Sequence, residues 1–196
     1  IGADTGGGEN FLCTFSGWLE RPQDPLSIEF LMLSPKDRNI WEIFVDSNGK
    51  RFMQEDHPSI EYREHALMKQ PEMRMNIIFD DKIIQNASPI SLLDFDKYKS
   101  KFGNHDNFVK ADTIEQLAEE INVPFENLLR TIENYNHAVE NQIDHEWNKF
   151  FLIRKIETPP FYAIKSNGFT IVSPEGLKVN DQLNVINKHG KSIKNL

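Results

Sequence analysis

The chain of 196 residues is long enough for one substantial hydrophobic core or for two small lobes. Its composition, 39% hydrophobic and 27% charged, is typical of a globular protein and excludes an intrinsically disordered chain. The net charge of −8 argues against binding to nucleic acid or to an anionic membrane surface, because both require a basic face. A single cysteine, Cys13, excludes an internal disulfide and a metal site built from several thiolates, and it favours a cytoplasmic location.

The first third of the chain is predicted to consist of loops and extended segments. Gly2 and Gly6–Gly8 lack the G-x-G-x-x-G spacing of a dinucleotide fingerprint, so we interpret them as a loop. Two apolar runs, Phe11–Trp18 and Ile28–Leu33, predict extended segments on either side of a proline-containing loop. No apolar run approaches the length that crosses a membrane.

A β-hairpin is predicted over Ile40–Met53. The pair Asn48-Gly49 supplies the positive φ angles that a tight turn needs, and Lys50–Met53 would return as the partner strand. After a polar crossing, Pro58 can open a helix that extends to Lys69, with Ile60, Ala66 and Leu67 on its apolar side.

The middle of the chain is predicted to be mainly helical. Met75–Phe79 is interpreted as a buried strand, and a short helix is predicted from Ser88 to about Tyr98. Asp112 and Thr113 are candidate N-caps for a helix. Glu115 follows Asp112 by three residues and Gln116 follows Thr113 by three, which is the spacing of a capping box. A longer helix is predicted from Pro124 to about Asn141, with four apolar residues spaced by 4, 3 and 4: Leu128, Ile132, Tyr135 and Val139.

Short strands are predicted for the rest of the chain. Pro159-Pro160 separates them from the helices, and an Asn180-Asp181 turn joins the last two. The strands are Phe161–Lys165, Phe169–Val172, Leu177–Val179 and Leu183–Ile186. This arrangement of helices and strands predicts the α+β class.

Four strings resemble one family of proteins. GKRFMQE at residues 49–55 is similar to the G-K-R-F-x-[ND]-E segment of the fumarate reductase and succinate dehydrogenase flavoprotein superfamily, which includes 3-oxosteroid dehydrogenases. Three more follow in the order that the family expects: ADTIEQLAEEINV at 111–123, LLRTIENYNHAVE at 128–140, and TPPFYAIK with GLKVNDQLNVINKHGKSIKNL within 158–196. The resemblance covers most of the chain after Ile40.

The resemblance implies a capping domain, also called a substrate clamp, of a flavoprotein. Such a domain has a small mixed or antiparallel sheet flanked by helices. Residues 1–9 would be the cut end of the FAD-lobe segment, residues 10–160 the capping domain, and residues 161–196 strands that return to the FAD-binding lobe. The chain would then be a fragment without the N-terminal Rossmann segment. FAD would bind to the full-length protein and not to the fragment, and the missing lobe of the same polypeptide would be the fragment's partner.

The function implied by the resemblance is that of an FAD-dependent oxidoreductase. The full-length protein would act on a C–C single or double bond of a small molecule, next to a carboxylate or a ketone, and the fragment alone would be inactive. Two alternatives remain: an activity like that of the 3-oxosteroid dehydrogenases on a bulky ketone, and a non-enzymatic α+β binding module.

Arg63 is the candidate catalytic residue. In fumarate reductases an arginine that donates a proton follows the G-K-R-F string by a fixed interval, which here ends at Ser59. Arg63 would take this role if the chain carried about one extra helical turn. An arginine suits such a site because it stays charged and can bind a carboxylate with two parallel donors. The alternative is a surface arginine that forms ion pairs with neighbours such as Glu61 and Glu64.

Candidate substrate contacts are His57, Tyr62 and Tyr162. The alternatives are an exposed loop histidine and two tyrosines that pack in the core or at a hinge. Arg51 and Glu55 are expected to fix that hinge by pairing with each other. The six histidines include no pair with H-x-x-x-H spacing, so no metal site is predicted.

Ser173, Glu175 and Gly176 are candidates for contact with the flavin, although a simple turn is the alternative. They lie in the string FTIVSPEGL, where fumarate reductases have H-H-T-M-G-G. Ile171 and Val172 replace the two histidines, and an acidic residue is added. Because a dicarboxylate would lose two donors, fumarate is not the expected substrate.

Overall fold

The computed structural model describes residues 2–8, 13–31, 33–36, 39–86, 98–170 and 175–196. The helix predicted from Ser88 lies outside these residues except for Tyr98. The chain divides into two compact units, a larger one of residues 14–169 and a smaller one that combines residues 1–13 with 170–196. The division after Phe169 differs from the domain boundary predicted after Pro160.

The described secondary structure consists of eight strands, four α-helices and a 3₁₀ helix at Pro71–Met73. The strands are β1 (Thr5–Gly6), β2 (Trp18–Leu19), β3 (Ile28–Glu29), β4 (Ile43–Val45), β5 (Arg74–Asp80), β6 (Phe108–Ala111), β7 (Phe161–Asn167) and β8 (Gly176–Leu177). The helices are α1 (Ile60–Met68), α2 (Asp81–Asn86), α3 (Ile114–Glu120) and α4 (Phe125–Asn141), and Tyr98 and Lys99 belong to a further helical turn.

An antiparallel sheet with the order β4-β5-β7-β6 forms the centre of the larger unit. Strands β5 and β7 pair along their whole length, from Arg74 opposite Asn167 to Asp80 opposite Phe161. Since β7 lies between β5 and β6, the segment after Pro160 belongs to this sheet. The assignment of residues 161–196 to the FAD-binding lobe stays a prediction. The α+β class and the antiparallel sheet agree with the prediction.

Helices α3 and α4 form as their local signals predicted. The Thr113 hydroxyl accepts a hydrogen bond from the Gln116 backbone N–H, and the Gln116 side chain accepts one from the Asp112 N–H. The Thr113 cap satisfies one of the N–H donors that the first helical turn leaves unpaired, and the Gln116 side chain holds the residue before the cap. In α4 the four residues predicted at 4, 3 and 4 spacing are all buried: Leu128, Ile132, Tyr135 and Val139.

A turn forms here with a positive φ at Gly49, but Asn48 does not have the predicted positive φ, and the predicted return strand does not form. The Gly49 N–H donates to the Asp46 carbonyl, and the Asp46 N–H donates to the Lys50 carbonyl at 2.9 Å. Beyond this turn only Arg51 pairs with β4, opposite Val45. The long partner of β4 is instead β5. After Arg51 the chain turns away from β4, and the side chains that follow are buried in a charged cluster described below.

Gly49 offers a direct test of this turn. Its φ is +74°, and a Cβ atom at this position would lie 3.1 Å from the Leu128 backbone nitrogen. We expect Gly49→Ala to lower the free energy of unfolding by about 1 kcal/mol or more, measured by urea unfolding. Gly103→Ala is the matched control, because Gly103 has a φ of +79° but no atom within 4 Å of the added Cβ. Equal losses in both variants would show that the contact with α4 contributes nothing.

Helix α1 presents an unexpected face to the core. The Ser59 hydroxyl accepts a hydrogen bond from the Tyr62 N–H and so caps the helix. Leu67 is buried as predicted, but Ile60 is 56% exposed, so its assignment to the buried side was wrong. Arg63 is buried instead.

The smaller unit contains the pair β1–β8, in which Thr5 lies opposite Leu177. The predicted turn after Asn180 is present, since the Asn180 side-chain oxygen accepts hydrogen bonds from the Gln182 and Asn184 N–H groups. The strands predicted around it are reduced to isolated bridges, such as Val179 with Val185. In the described part of the chain, no helix is both long and apolar enough to cross a membrane.

Candidate substrate-binding site

A cavity of about 200 Å³ lies within the larger unit, between α1 and the segment that contains β3. Most of its wall is apolar and comes from Phe15, Phe30, Leu31, Leu33 and Ile60. The polar lining residues are Thr14, Ser16, Ser34, Arg63 and Glu64. The cavity therefore combines apolar walls with one guanidinium group.

Arg63 is held in this wall by contacts that use only part of its hydrogen-bonding capacity. Its Nη1 donates to the backbone carbonyl of Leu33, and its guanidinium carbon lies 4.7 Å from the ring centroid of Phe15. Its Nε is buried and has no hydrogen-bond partner among the described residues. An unpaired buried donor on a charged group is costly, so the fold keeps Arg63 in a state that a suitable ligand would stabilise.

Burial also changes the pKa values of Arg63 and of Glu64, the next residue in α1. It lowers the pKa of Arg63 to about 10, so the side chain remains protonated near neutral pH. Burial raises the pKa of the Glu64 carboxyl, against the opposing effect of Arg63.

The surface alternative for Arg63 is wrong. The residue is 2% exposed, although it lies in a helix whose sequence neighbours are mostly polar. A guanidinium with this burial cannot be a solvated member of a helix-face ion pair. Its catalytic role stays a prediction.

His57 and Tyr62 lie together, as two predicted substrate contacts should. Their rings stack with centroids 4.0 Å apart, and the Tyr62 hydroxyl accepts a hydrogen bond from the Gln54 N–H at 3.5 Å. His57 is half-buried and Tyr62 is 37% exposed, so Tyr62 does not pack in the core, and its contacts match the alternative of packing at the hinge. Contact of either residue with a substrate stays a prediction. Among the described residues, the lining of the Arg63 cavity includes neither ring.

Tyr162 lies in β7, in an aromatic part of the core. Its ring stacks on Phe79 with centroids 5.5 Å apart, and its hydroxyl donates to Asp81 at 3.3 Å. Burial, with a smaller contribution from Asp81, raises the pKa of Tyr162 to about 12. These contacts match the packing alternative for Tyr162 and do not bring it into the lining of the Arg63 cavity.

A buried cluster of charges fixes the GKRFMQE segment. Arg51 donates from Nε and Nη2 to the two oxygens of Glu55, each at 2.7 Å, so the predicted pairing is present. The same Nη2 donates to Asp144 at 2.7 Å. Lys149 lies 3.7 Å from Glu55 and donates to the Glu42 carbonyl. The pairing of these charges offsets the cost of removing them from water.

A second carboxylate ties the same segment to the loop after α4. Asp56 Oδ2 accepts hydrogen bonds from the N–H groups of Phe150 and Phe151 at 2.7 and 2.8 Å. Sequence analysis missed this loop, including Asp144 and Lys149, because it contains no motif and contacts a segment that is 93 residues away in the Arg51–Asp144 pair. The cluster therefore stabilises the segment that leads into α1.

The carboxylates of this cluster have lowered pKa values. Burial alone would raise the pKa of the Glu55 carboxyl, but Arg51 and Lys149 outweigh it and hold this pKa below its usual range. At Asp144, burial likewise raises the pKa and the hydrogen bond from Arg51 lowers it. The net effect is again a lowered pKa. The stability that they contribute is present above their unfolded pKa values and is lost as the pH falls through the folded ones.

We expect the pH dependence of unfolding to report Asp144 directly. Asp144→Asn should lower the urea midpoint near neutral pH, because Arg51 loses a charged partner. As the pH falls below the ordinary aspartate value of 3.8, protonation of Asp144 in the wild type removes the same charge. The two midpoint curves should therefore converge in acid. Parallel curves would contradict a charged contribution from Asp144.

The sequence of the chain is similar to those of known FAD-binding proteins. Residues 42–196 match the family described as FAD binding domain. The chain belongs to this family. It is 32% identical over 154 residues to an NADH:acrylate oxidoreductase of Vibrio harveyi, and 24% identical over 166 residues to a probable fumarate reductase, Ifc3, of Shewanella frigidimarina. These alignments cover 79% and 85% of this chain but only 15% and 26% of the two relatives.

Solved structures include proteins with the same fold as this chain. A 3-ketosteroid Δ1-dehydrogenase of Sterolibacterium denitrificans, in complex with 1,4-androstadiene-3,17-dione, superposes with a TM-score of 0.65 and 21% identity. The superposition covers 98% of this chain and 37% of that protein. The family resemblance predicted from the four strings is confirmed, and FAD is the cofactor of the family.

The smaller unit contains Glu175 and Gly176, two of the predicted flavin contacts. A bound pyrophosphate needs a Gly-rich turn that opens a helix, and the described residues of this unit include no α-helix. Glu175 accepts a hydrogen bond from the Thr5 hydroxyl at 2.8 Å, and Gly176 pairs with Gly6. Ser173 lies outside the described residues. Contact of Glu175 and Gly176 with a flavin stays a prediction.

Proposed function

We propose that the larger unit is the capping, substrate-binding part of an FAD-dependent oxidoreductase that acts on a C–C single or double bond next to a carboxylate or ketone. One observation carries this proposal. Arg63 is buried in a mainly apolar cavity, and its Nε has no partner among the described residues. A substrate oxygen in that cavity would complete its hydrogen bonding.

Arg63 would bind and polarise this oxygen. Arg63 stays charged near neutral pH because its pKa of about 10 lies well above 7. In a cavity with apolar walls, the interaction of a guanidinium with an oxyanion is stronger than in water. The adjacent pair of His57 and Tyr62 would contact another part of the substrate or the edge of the cap.

The smaller unit would contribute strands to the FAD-binding lobe. Glu175 and Gly176 would form part of the flavin's edge, and the phosphate-binding helix would come from that lobe, which is the partner predicted from the sequence. The 196-residue chain alone would then be inactive and would not retain FAD, and the full-length protein would act in the cytoplasm.

A ketone substrate is the second candidate within this class, because apolar walls also suit a bulky ketone. A non-enzymatic binding module is the alternative outside it. Expression of the full-length gene separates these functions. We expect a yellow protein with flavin absorbance, whose flavin is bleached or reoxidised by members of a panel of enoates and ketosteroids. A colourless protein that binds no flavin would contradict the proposal.

A further inference from the structure

Two of the three hydroxyl groups in the wall of the Arg63 cavity, those of Thr14 and Ser16, have their protons engaged elsewhere, and the third belongs to Ser34. The Thr14 hydroxyl donates to the Phe169 carbonyl at 3.1 Å, and the Ser16 hydroxyl donates to the Leu31 carbonyl at 2.7 Å. Arg63 is the cationic donor among the described lining residues, and its Nε is unpaired there. The cavity is therefore equipped to hold one anionic group.

Glu64 disfavours a second anionic group. Glu64 is a lining residue of the same cavity and follows Arg63 in sequence. A dicarboxylate with one end at Arg63 would bring its other charge into a space that is apolar apart from hydroxyl groups and an acidic side chain. An isolated charge in such surroundings has lost its hydration without a compensating partner.

The size of the cavity limits the rest of the ligand. At about 200 Å³ it is smaller than the roughly 300–1,000 Å³ of pockets that enclose drug-sized molecules. Such a volume suits a carboxylate that carries one aryl ring or a short alkyl chain. A four-ring ketone would exceed it. The side chains of Phe15, Phe30 and Leu31 would contact the apolar tail.

We infer that the Arg63 cavity selects a compact monocarboxylate with an apolar tail, in preference to a dicarboxylate or a steroid. This inference rests on the proposed function and names its substrate class. Arg63 binds the carboxylate, Glu64 excludes a second one, and the apolar walls receive the tail.

Calorimetric titration of the full-length protein with three probes tests this inference. The probes are 3-phenylpropanoate, succinate and androst-4-ene-3,17-dione. We expect 3-phenylpropanoate to bind at least about tenfold more tightly than succinate, and Arg63→Met to weaken its binding by about tenfold or more. Glu64→Gln should reduce the difference in affinity between 3-phenylpropanoate and succinate. Arg74→Met is the matched control, because Arg74 is an exposed arginine 2.6 Å from Glu72 and should leave all affinities unchanged.

Either of two binding results would overturn the inference: succinate or the steroid binding as tightly as 3-phenylpropanoate, or Arg63→Met leaving the affinity for 3-phenylpropanoate unchanged. Flavin turnover with fumarate or a ketosteroid but not with 3-phenylacrylate would likewise reject this substrate class and leave the proposed oxidoreductase in place. Binding that depends on Arg63, without flavin turnover on any enoate or ketone, would support the ligand class and reject the proposed reaction.

Discussion

Arg63→Ala in the full-length protein is expected to lower turnover by about tenfold or more while FAD stays bound. The substitution removes the guanidinium that would bind the substrate oxygen, but Arg63 belongs to the larger unit and is not one of the residues proposed to contact the flavin. Steady-state kinetics with the best substrate of the enoate panel measures the effect, and the visible absorbance of the purified protein measures the retained FAD.

Stability separates this functional role from a structural one. Arg63→Ala removes a buried cation, which favours folding, but it also leaves the buried Leu33 carbonyl without its donor. Because these effects oppose each other, we expect the unfolding midpoint to change little. Arg63→Lys should restore the charge but not the two parallel donors, and so should recover only part of the activity. Near-normal turnover of Arg63→Ala would contradict the proposed role.

Among the substitutions proposed for this chain, Arg51→Met is expected to lower the free energy of unfolding most. It leaves Glu55 and Asp144 buried without the guanidinium that both carboxylates contact at 2.7 Å. Breaking such a buried pair from one side costs about 3–5 kcal/mol, because the remaining charges have no solvent and an incomplete set of partners. The free energy of unfolding from urea titrations measures this cost.

Two further variants control for the loss of an arginine as such. Arg21→Met removes an exposed ion pair with Asp24 and should leave the urea midpoint unchanged. Arg51→Lys should remain clearly destabilised, since one ammonium cannot reproduce the forked contact with Glu55. If Arg51→Met shifted the midpoint no more than Arg21→Met, the buried cluster would not stabilise the segment before α1.

Local sequence signals predicted the parts of this fold that depend on nearby residues. The cap at Thr113 and the buried face of α4 depend on spacings of three and four residues, and both formed. The pairing of Arg51 with Glu55 is also local. By contrast, the prediction of a return strand after Gly49 was wrong, because Arg51 in this segment pairs with Asp144 in a distant loop.

The cavity was beyond sequence analysis for the same reason. Arg63 contacts Leu33, 30 residues earlier in the chain, and no local pattern joins the two. Helix α1 has an apolar residue exposed at Ile60 and a charged one buried at Arg63, the reverse of the ordinary pattern. Such a local conflict is typical of functional sites, where binding rather than stability determines the residue. It became visible only once the burial of each side chain was known.

A crystal structure of the full-length, flavin-bound protein with 3-phenylpropanoate is the most direct measurement of the central claim. We expect a carboxylate oxygen within hydrogen-bond distance of Arg63 Nε, about 2.7–3.2 Å away, and the phenyl ring between the apolar walls of the cavity. A ligand that binds elsewhere, with Arg63 still held only by Leu33 and Phe15, would contradict it.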